Sequence, residues 1–271
     1  MRPVVLTIAG SDPSAGAGVQ ADLKAIEANR AYAATAVTAI TVQNTLGVER
    51  VVPLGADLVR EQILAVLEDL DVRAVKSGML GNPAIVRGVA GVLRDRGVEN
   101  YVCDPVRFSS SGAPLLEEQA VETLRAELIP LAAVVTPNAH EAEALTGVPV
   151  RGSADAEQAA RLLLGRGARA VLVTGGHFGD RPGADLLVTG TTTEWFETSW
   201  IDTPDTHGTG CMLSSAVAAG LAHGLELGPA IRAAKCFVTE ALRHGLRIGR
   251  GRGVANAFHG RSAISPPAEV L

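Results

Sequence analysis

The sequence predicts an α/β domain with a mostly parallel central sheet and helices on both faces. Short apolar runs alternate with longer amphipathic segments along most of the 271 residues, which is typical of parallel strands joined by crossover helices. Glycine and polar residues directly follow several of the apolar runs. Because ligands bind at the carboxyl ends of the strands in such sheets, those residues are candidates for a functional site.

The individual elements follow from periodicity and from capping residues. Apolar runs too short for helices predict strands over residues 4–9, 33–42, 74–76, 100–104, 133–136 and 170–173. Helical spacing of apolar residues predicts helices over residues 19–26, 57–69, 83–96, 117–127, 138–146, 154–166, 212–222 and 229–243. Asp57 is the expected N-cap of the second helix, and Pro83 suits the first turn of the third. Two β-like runs, 185–188 and 194–201, predict a hairpin.

Composition indicates a single folded domain. Hydrophobic residues make up 47% and charged residues 20% of the chain, as in globular proteins, while aromatics at 3% leave the core to Ala, Val and Leu. We find no repeat, low-complexity block or linker, so residues 1–260 are expected to form one domain. Residues 261–271, which contain a Ser-Pro-Pro run, are expected to be a frayed tail.

Charge and cysteine content argue against several classes of protein. The net charge of -5 and the lack of a basic run argue against nucleic acid or an anionic membrane as a partner. No run of about 18 apolar residues occurs, and the apolar part of the N-terminus is too short for a signal peptide. The three cysteines lie far apart without CxxC spacing, which argues against a disulfide framework or structural zinc. We therefore expect a cytoplasmic protein with small-molecule partners.

The strongest candidate site is the run DTHGTGC over residues 205–211, which leads directly into an apolar helix. Gly208 and Gly210 let the backbone turn tightly and expose its amides. The N–H groups of the first helical turn, Thr209 included, have no intrahelical partner and lie at the positive end of the helix dipole, which makes an anion site. Cys211 is expected to have a lowered pKa there and to act as a base. The alternative is a buried structural cysteine.

A second glycine-rich stretch, GAGVQA over residues 16–21, matches the G-x-G-x-x-A dinucleotide fingerprint. In that motif the first glycine follows the strand directly, and an acid about 20 residues further on holds the ribose. Here Gly16 lies well beyond the strand, and residues 36–40 contain no acid. We therefore reject a dinucleotide site. The chain also lacks the G-x-x-x-x-G-K-[ST] run that would form a P-loop.

Two polar residues near these loops have open alternatives. Asp22, one helical turn past the glycine-rich loop, is either a solvated helix carboxylate or a group that faces the loop and a substrate. Gln43, at a strand end, is either a loop cap or a hydrogen-bonding partner of a heterocycle. The Gln43 amide offers one acceptor and two donors, which suit the edge of an aminopyrimidine.

Asn138 and Glu141 open a predicted helix, and their role is equally open. In the default interpretation they form a capping box, in which each side chain accepts from the other's backbone amide. Alternatively, Glu141 acts with Asp104 to organise water around a Mg²⁺ bound to a triphosphate, since Mg²⁺ keeps several waters and takes few carboxylates. We expect structural rather than catalytic roles for His177, His207, Cys103, Cys236, Trp195 and Trp200.

Eight short motifs together carry a resemblance to a known family. They are TIAGSD at 7–12, GAGVQADLK at 16–24, QNT at 43–45, GML at 78–80, DPV at 104–106, TPN at 136–138 with Glu141, GGH at 175–177 and THGTGC at 206–211. In these motifs the chain resembles the hydroxymethylpyrimidine/phosphomethylpyrimidine kinases of thiamine biosynthesis, members of the ribokinase-like superfamily. The resemblance extends over nearly the whole chain.

The resemblance implies a ribokinase-like fold and a homodimer that uses MgATP. The implied reaction phosphorylates the hydroxymethyl group of 4-amino-5-hydroxymethyl-2-methylpyrimidine, and then the resulting monophosphate to the diphosphate. By similarity Cys211 occupies the general-base position, and the loop amides of Gly208, Thr209, Gly210 and Cys211 stabilise the transferring phosphoryl group. The implied ligand-binding residues are Gln43, Asp22, Gly10 and Met79 for the pyrimidine, Asn138, Thr174 and Gly176 for the nucleotide, and Asp104 and Glu141 for the metal.

The sequence departs from the family pattern at positions expected to lie near phosphate. Ser110 and Thr174 replace two family lysines, and Asp205 and Met212 replace an asparagine and a threonine around the catalytic loop. The C-terminal Gly-x-Gly-Pro-x-Asn-His pattern is GRGVANA over residues 251–257. Arg107 is a candidate to restore one positive charge.

Three rival functions follow from these observations. A pyridoxal/pyridoxine kinase of the same fold is the nearest, because that ring also presents a hydroxymethyl group. A non-catalytic pyrimidine- or nucleotide-binding protein is the second, because two lysines are missing. A Rossmann oxidoreductase is a remote third.

Overall fold

The computed structural model describes residues 2–175 and 178–260. Its strands are β1 Val4–Ser11, β2 Tyr32–Asn44, β3 Gly47–Pro53, β4 Val72–Ser77, β5 Tyr101–Cys103, β6 Val134–Val135, β7 Ala170–Thr174, β8 Ala184–Thr189 and β9 Thr193–Glu197. They form one sheet in the order β3-β2-β1-β4-β5-β6-β7-β8-β9. In this order every neighbouring pair between β2 and β7 is parallel. The edge strand β3 pairs antiparallel with β2, and β8 pairs antiparallel with β7 and β9. The predicted mostly parallel sheet is confirmed.

Helices cover both faces of this sheet. They are α1 Gly18–Ala28, α2 Ala56–Asp69, α3 Pro83–Asp95, α4 Glu118–Thr123, α5 Ala139–Thr146, α6 Ser153–Leu164, α7 Thr209–Ala222 and α8 Leu227–Arg243. A core on one face joins the sheet to α1, α7 and α8, and a core on the other face joins it to α2 through α6. Val5 of β1 packs into the first core and its neighbour Leu6 into the second, because successive strand side chains point to opposite faces.

One strand was missed, and two of the predicted element ends are wrong. The sequence analysis missed β3, an edge strand whose side chains are partly or fully exposed and therefore show no clear apolar pattern. Asp57 is not the N-cap of α2: Gly55 is, and Asp57 lies in the first turn, where its charge still complements the helix dipole. The second strand of the predicted hairpin ends at Glu197, not at residue 201.

The described helices include none that is long and apolar enough to cross a bilayer. All three cysteines are free thiols, as their spacing predicted. The expected frayed tail over residues 261–271 lies outside the described residues.

Candidate active site

The candidate site lies at the carboxyl ends of β1 and β4, where the spatial order of the strands reverses. From β1 the chain moves outward to β2 and β3, and it then returns to β4 on the other side of β1. Such a switch point leaves a crevice beyond the strand ends, where ligands bind in open α/β sheets. The glycine-rich loop after β1 meets the loop before α7 at this crevice.

Two glycines let these loops approach each other. Gly208 is the N-cap of α7 with φ of 80°, and a Cβ there would lie 1.8 Å from the Gly16 carbonyl oxygen. A Cβ on Gly16 would lie 2.2 Å from Cδ2 of His207. Side chains at either position would therefore force the loops apart, and only glycine adopts the left-handed conformation of Gly208 without strain.

The first turn of α7 presents backbone amides without protein acceptors. The Thr209 N–H donates to the Thr206 carbonyl, but the hydrogen bonds among the described residues use neither the Gly210 nor the Cys211 N–H. These amides lie at the positive end of a 14-residue helix. The arrangement matches the anion site that the sequence predicts.

The thiol of Cys211 lies in this first turn. The prediction of a lowered pKa is wrong. Burial raises the pKa of the Cys211 thiol to about 12; the Lys76 ammonium opposes this rise, and the carboxylates of Asp22 and Asp104 add to it. Desolvation and two nearby negative charges therefore outweigh the helix N-terminus, and Cys211 is a neutral thiol at neutral pH.

A buried group of charges lies beneath the two loops. Lys76 Nζ lies 2.9 Å from Asp22 Oδ1 and 3.6 Å from Asp104 Oδ2, and we call these three residues the Lys76 centre. Burial disfavours the Lys76 charge, but the carboxylates of Asp22 and Asp104 outweigh it and raise the lysine pKa above its usual value. One ammonium group thus serves two buried carboxyl groups.

Hydroxyl groups from two elements complete the Lys76 centre. Ser214 Oγ donates to Asp104 Oδ2 at 2.9 Å, and the adjacent Ser215 Oγ donates to Asp22 Oδ1 at 2.8 Å. Thr7 Oγ1 of β1 donates to Asp22 Oδ2 at 2.6 Å. The sequence analysis missed both serines. Their signal was a pair of hydroxyls inside an otherwise apolar helix, where each needs a buried partner.

The position of Asp22 excludes one of the two alternatives that the sequence left open. It is fully buried, so it is not a solvated helix carboxylate. Its two oxygens accept from Thr7, Lys76 and Ser215. The structure therefore places Asp22 in the Lys76 centre, and its contact with a substrate stays a prediction.

His207 connects three segments that are far apart in sequence. Its Nε2 lies 2.9 Å from Asp12 Oδ2, and its Nδ1 lies 2.6 Å from Ser110 Oγ. Burial disfavours ionisation of Asp12, but hydrogen bonds from His207 and from Ser14 outweigh it and lower the Asp12 pKa. His207 is buried, which agrees with the structural role expected for it. Ser110, which stands where the family has a lysine, forms the hydrogen bond to the His207 ring.

A cavity of about 310 Å³ opens beside His207. It is lined by residues 43–47, Ser110, Ser111, His207, Gly251 and Arg252. The predicted pyrimidine-binding residue Gln43 therefore lines a space of the size of a small heterocycle. Gly10 and Met79 do not line it; they contact each other, since a Cβ on Gly10 would lie 2.7 Å from the Met79 sulfur.

The predicted nucleotide-binding residues Asn138 and Thr174 are neighbours at the ends of β6 and β7. They form a parallel β-bridge, and the Thr174 N–H donates to the Pro137 carbonyl at 2.9 Å. The capping box is confirmed: Asn138 Oδ1 accepts from the Glu141 N–H at 3.0 Å, and Glu141 Oε2 accepts from the Asn138 N–H at 2.9 Å. Gly176, the third predicted residue, lies outside the described residues.

Asp104 and Glu141, the predicted metal residues, are both buried and electrostatically coupled. Burial raises the pKa of Glu141 to about 8, the Asp104 carboxylate adds to the rise, and backbone amides of Asn138 and Arg107 oppose it. A buried carboxyl group whose pKa is raised by a neighbouring carboxylate is suited to a nearby cation. Among the described residues no group of three or more His, Cys, Asp or Glu could hold a metal ion. The described residues therefore offer no all-protein metal cage, and Mg²⁺ held through water by Asp104 and Glu141 stays a prediction.

A second buried lysine supports the backbone next to Thr174. Lys235 Nζ of α8 lies 2.7 Å from Asp185 Oδ2, and Asp185 Oδ1 accepts from the Gly175 N–H at 2.9 Å. Burial raises the pKa of Asp185, and Lys235 opposes the rise. The sequence analysis assigned neither residue, because an isolated Asp in a strand and an isolated Lys in a helix carry no distinctive spacing.

The fold and the site together define a small-molecule kinase of the ribokinase-like class. Its features are the mostly parallel sheet, the free backbone amides in the first turn of α7, and the buried carboxyl pair of Asp104 after β5 and Glu141 in α5. The chain matches the family described as Phosphomethylpyrimidine kinase over residues 12–256. It therefore belongs to the phosphomethylpyrimidine kinase family.

Relatives and solved structures agree with this assignment. A hydroxymethylpyrimidine/phosphomethylpyrimidine kinase of Synechococcus elongatus is 44% identical, with 95% of this chain and 98% of the relative covered. The phosphomethylpyrimidine kinase structure from Clostridium difficile has a TM-score of 0.80 and 39% identity, covering 89% of this chain and all of that one (100%). The ADP complex of Bacillus subtilis pyridoxal kinase has a TM-score of 0.88 and 37% identity, covering 95% of this chain and 98% of that one.

Proposed function

We propose that the protein transfers phosphate from ATP to the hydroxymethyl group of 4-amino-5-hydroxymethyl-2-methylpyrimidine, and then phosphorylates the monophosphate to the diphosphate, for thiamine biosynthesis. One observation carries the proposal: in a member of the phosphomethylpyrimidine kinase family, the cavity that Gln43 lines reaches His207, next to the amides of Gly208 to Cys211. A pyrimidine that bonds to Gln43 then has its hydroxymethyl group close to an anion site.

In this proposal different residues orient the substrate, stabilise the charge of the phosphoryl group and remove the proton. The Gln43 amide matches the donor and acceptor edge of an aminopyrimidine. The free amides of the α7 first turn stabilise charge on the transferring phosphoryl group. This division leaves proton removal to Cys211, whose sulfur lies in the same turn.

Cys211 acts as general base in this proposal, although its thiol is neutral at neutral pH. The role therefore requires that bound substrates lower the thiol pKa. Two carboxylates now raise it, and Lys76 opposes them. A cation bound by Asp104 would remove part of the negative charge that keeps Cys211 protonated.

Asn138, Thr174 and Gly176 are proposed to contact the nucleotide, and Asp104 and Glu141 to hold Mg²⁺ through water. When bound, Mg²⁺ neutralises charge on the triphosphate. The bridge between Asn138 and Thr174 places both at one rim of the sheet. Solved relatives with ADP or AMP-PCP include pyridoxal kinases of Staphylococcus aureus, 32–33% identical, and they support nucleotide binding in this fold.

A homodimer in the cytoplasm is part of the same proposal. Ile40, Val42 and Val52 are 48%, 41% and 45% exposed, and Ile40 pairs with Val52 across β2 and β3. Since Val42 lies two residues from Ile40, the three share one face of this edge pair. Such an apolar stripe suits a subunit contact.

Two measurements test these proposals. A monomer in sedimentation at micromolar concentration would contradict the homodimer. Recovery of the protein outside the cytoplasmic fraction of the source cells would contradict the cytoplasmic location.

The test is an ATP-to-ADP assay with Mg²⁺ that offers hydroxymethylpyrimidine, its monophosphate and pyridoxal in parallel. Turnover with both pyrimidines is the expected result, with a diphosphate as the final product. Turnover with neither pyrimidine would contradict the proposal. Ligand binding without any turnover would favour a non-catalytic binding protein instead.

A pyridoxal kinase is the second candidate function. The observation in its favour is the ADP complex of Bacillus subtilis pyridoxal kinase, which has a TM-score of 0.88 to this chain. Pyridoxal also presents a hydroxymethyl group on a six-membered ring. Turnover with pyridoxal alone in the same assay would transfer the assignment to that reaction.

A further inference from the structure

The residues that line the cavity beside Gln43 are suited to an anion. Of the described residues that line it, Arg252 alone carries a permanent charge, and none is an aspartate or glutamate. The remaining polar lining includes His207, Ser110 and Ser111. The Ser110 hydroxyl is hydrogen-bonded to His207 Nδ1, and the Ser111 hydroxyl to Ser109 Oγ. Each hydroxyl thus has one bond in place and can turn a further donor or acceptor position to a ligand. Arginine and hydroxyl groups without a competing carboxylate are the groups that bind phosphate.

The backbone around Arg252 is fixed on both sides of the cavity. The Arg252 N–H donates to the Thr45 carbonyl at 3.0 Å, and the Gly251 N–H donates to Thr45 Oγ1 at 3.2 Å. On the other side, the His207 N–H donates to the Gly253 carbonyl at 3.1 Å. A Cβ on Gly251 would lie 1.8 Å from the Thr45 carbonyl oxygen, so this close contact requires glycine. Residues 251–253 thus form a short segment that connects the turn after β2 to the loop before α7, and Arg252 lies in this segment.

The Arg252 side chain is available for an external anion. Its guanidinium forms no ion pair and no hydrogen bond with any residue that the structure describes. Arg107, which the sequence suggested as a replacement for a lost lysine, is engaged elsewhere: its guanidinium forms an ion pair with Glu118 at 2.6 Å. Arg107 also does not line the cavity.

We propose that Arg252, with Ser110 and Ser111, forms the binding site for the phosphate of the pyrimidine monophosphate and thereby sets the preference for the second phosphorylation over the first. The inference rests on the proposed function. A phosphate monoester carries between one and two negative charges at neutral pH. The unphosphorylated alcohol carries none, so Arg252 interacts strongly with only one of the two acceptors.

The experiment compares Arg252→Gln with the wild-type protein in two measurements. The first is kcat/KM for each pyrimidine acceptor at fixed MgATP, expressed as the ratio of monophosphate to alcohol. The second is the Kd of the monophosphate by calorimetry without ATP, which does not depend on turnover. We expect the ratio to fall at least about tenfold and the Kd to rise by a similar factor, because one charge-assisted contact is lost. Arg252→Lys should recover part of both.

Arg250→Gln is the matched control. Arg250 is an exposed arginine two residues away that does not line the cavity, so both quantities should stay at wild-type values. An unchanged ratio and Kd in Arg252→Gln would overturn the inference, and so would an equal loss in Arg250→Gln. If the wild-type protein phosphorylates neither pyrimidine, the proposed function fails instead. A weaker monophosphate Kd in Arg252→Gln would still support the phosphate site in that case.

Discussion

Two lysines are buried against the sheet, and their surroundings differ in charge. Lys76 lies 2.9 Å from Asp22 and 3.6 Å from Asp104, so one ammonium group serves two carboxyl groups. Lys235 lies 2.7 Å from Asp185 and has no second acidic partner among the described residues. The first arrangement has an excess of negative charge beside Cys211, and the second is balanced. We propose that this imbalance of charge, and not burial itself, suits the Lys76 centre to cation binding and proton transfer, whereas the pair of Lys235 and Asp185 supports the backbone.

The largest expected effect comes from removing each lysine in turn. Lys76→Met leaves two buried carboxyl groups without a cation, and we expect the free energy of unfolding to fall by about 3–5 kcal/mol. Lys235→Met leaves only Asp185, which can take up a proton and still accept from Gly175, so a loss of about 1–3 kcal/mol is expected. Urea unfolding of both variants measures the difference. Equal losses would show that the second carboxylate adds nothing.

Two of the three cysteines differ in the role that we propose for them. Cys211 lies beside the Lys76 centre, whereas Cys236 follows Lys235 in α8 and is exposed. We expect Cys211→Ala to lower turnover by about two orders of magnitude, in line with the contribution of a general base, while the protein stays folded. Cys236→Ala is the control and should keep wild-type turnover. Near-normal turnover of Cys211→Ala would remove Cys211 from the base role.

A smaller effect concerns the pH dependence of thiol alkylation. Because the pKa of Cys211 is raised to about 12, its thiolate fraction at pH 8 is on the order of one part in ten thousand. Iodoacetamide should therefore label exposed Cys236 well before Cys211 at pH 8, and Cys211 labelling should rise about tenfold per pH unit until the pH approaches 12. Peptide mass spectrometry distinguishes the two sites. Rapid labelling of Cys211 at pH 8 would restore the lowered pKa that its helix position suggests.

The sequence was sufficient where a structure depends on local backbone. Gly208 predicted the tight turn before α7, and Asn138 with Glu141 predicted the capping box, because in each case the partners are at most three residues apart. Alternation of apolar runs likewise predicted the parallel sheet. These patterns can be recognised in a single sequence because the spacing of the residues alone brings the groups together.

The sequence was not sufficient where charges meet from distant segments. Asp22 and Lys76 are 54 residues apart in sequence, and Asp12 and His207 are 195 residues apart. The spacing of these residues therefore does not predict either contact. The wrong expectation for Cys211 has the same origin. Its helix position was visible in the sequence, but the burial and the two carboxylates that raise its pKa depend on tertiary packing.

The most direct test of the account compares two isosteric variants, Asp104→Asn and Asp185→Asn. Both side chains are buried, and each asparagine can keep one acceptor, for Ser214 or for Gly175. The measurement is kcat with MgATP and hydroxymethylpyrimidine, alongside Tm to exclude unfolding. If the excess negative charge at the Lys76 centre serves the reaction, Asp104→Asn loses at least about two orders of magnitude in kcat, and Asp185→Asn stays within about threefold of wild type. Equal kcat values for the two variants would contradict the account.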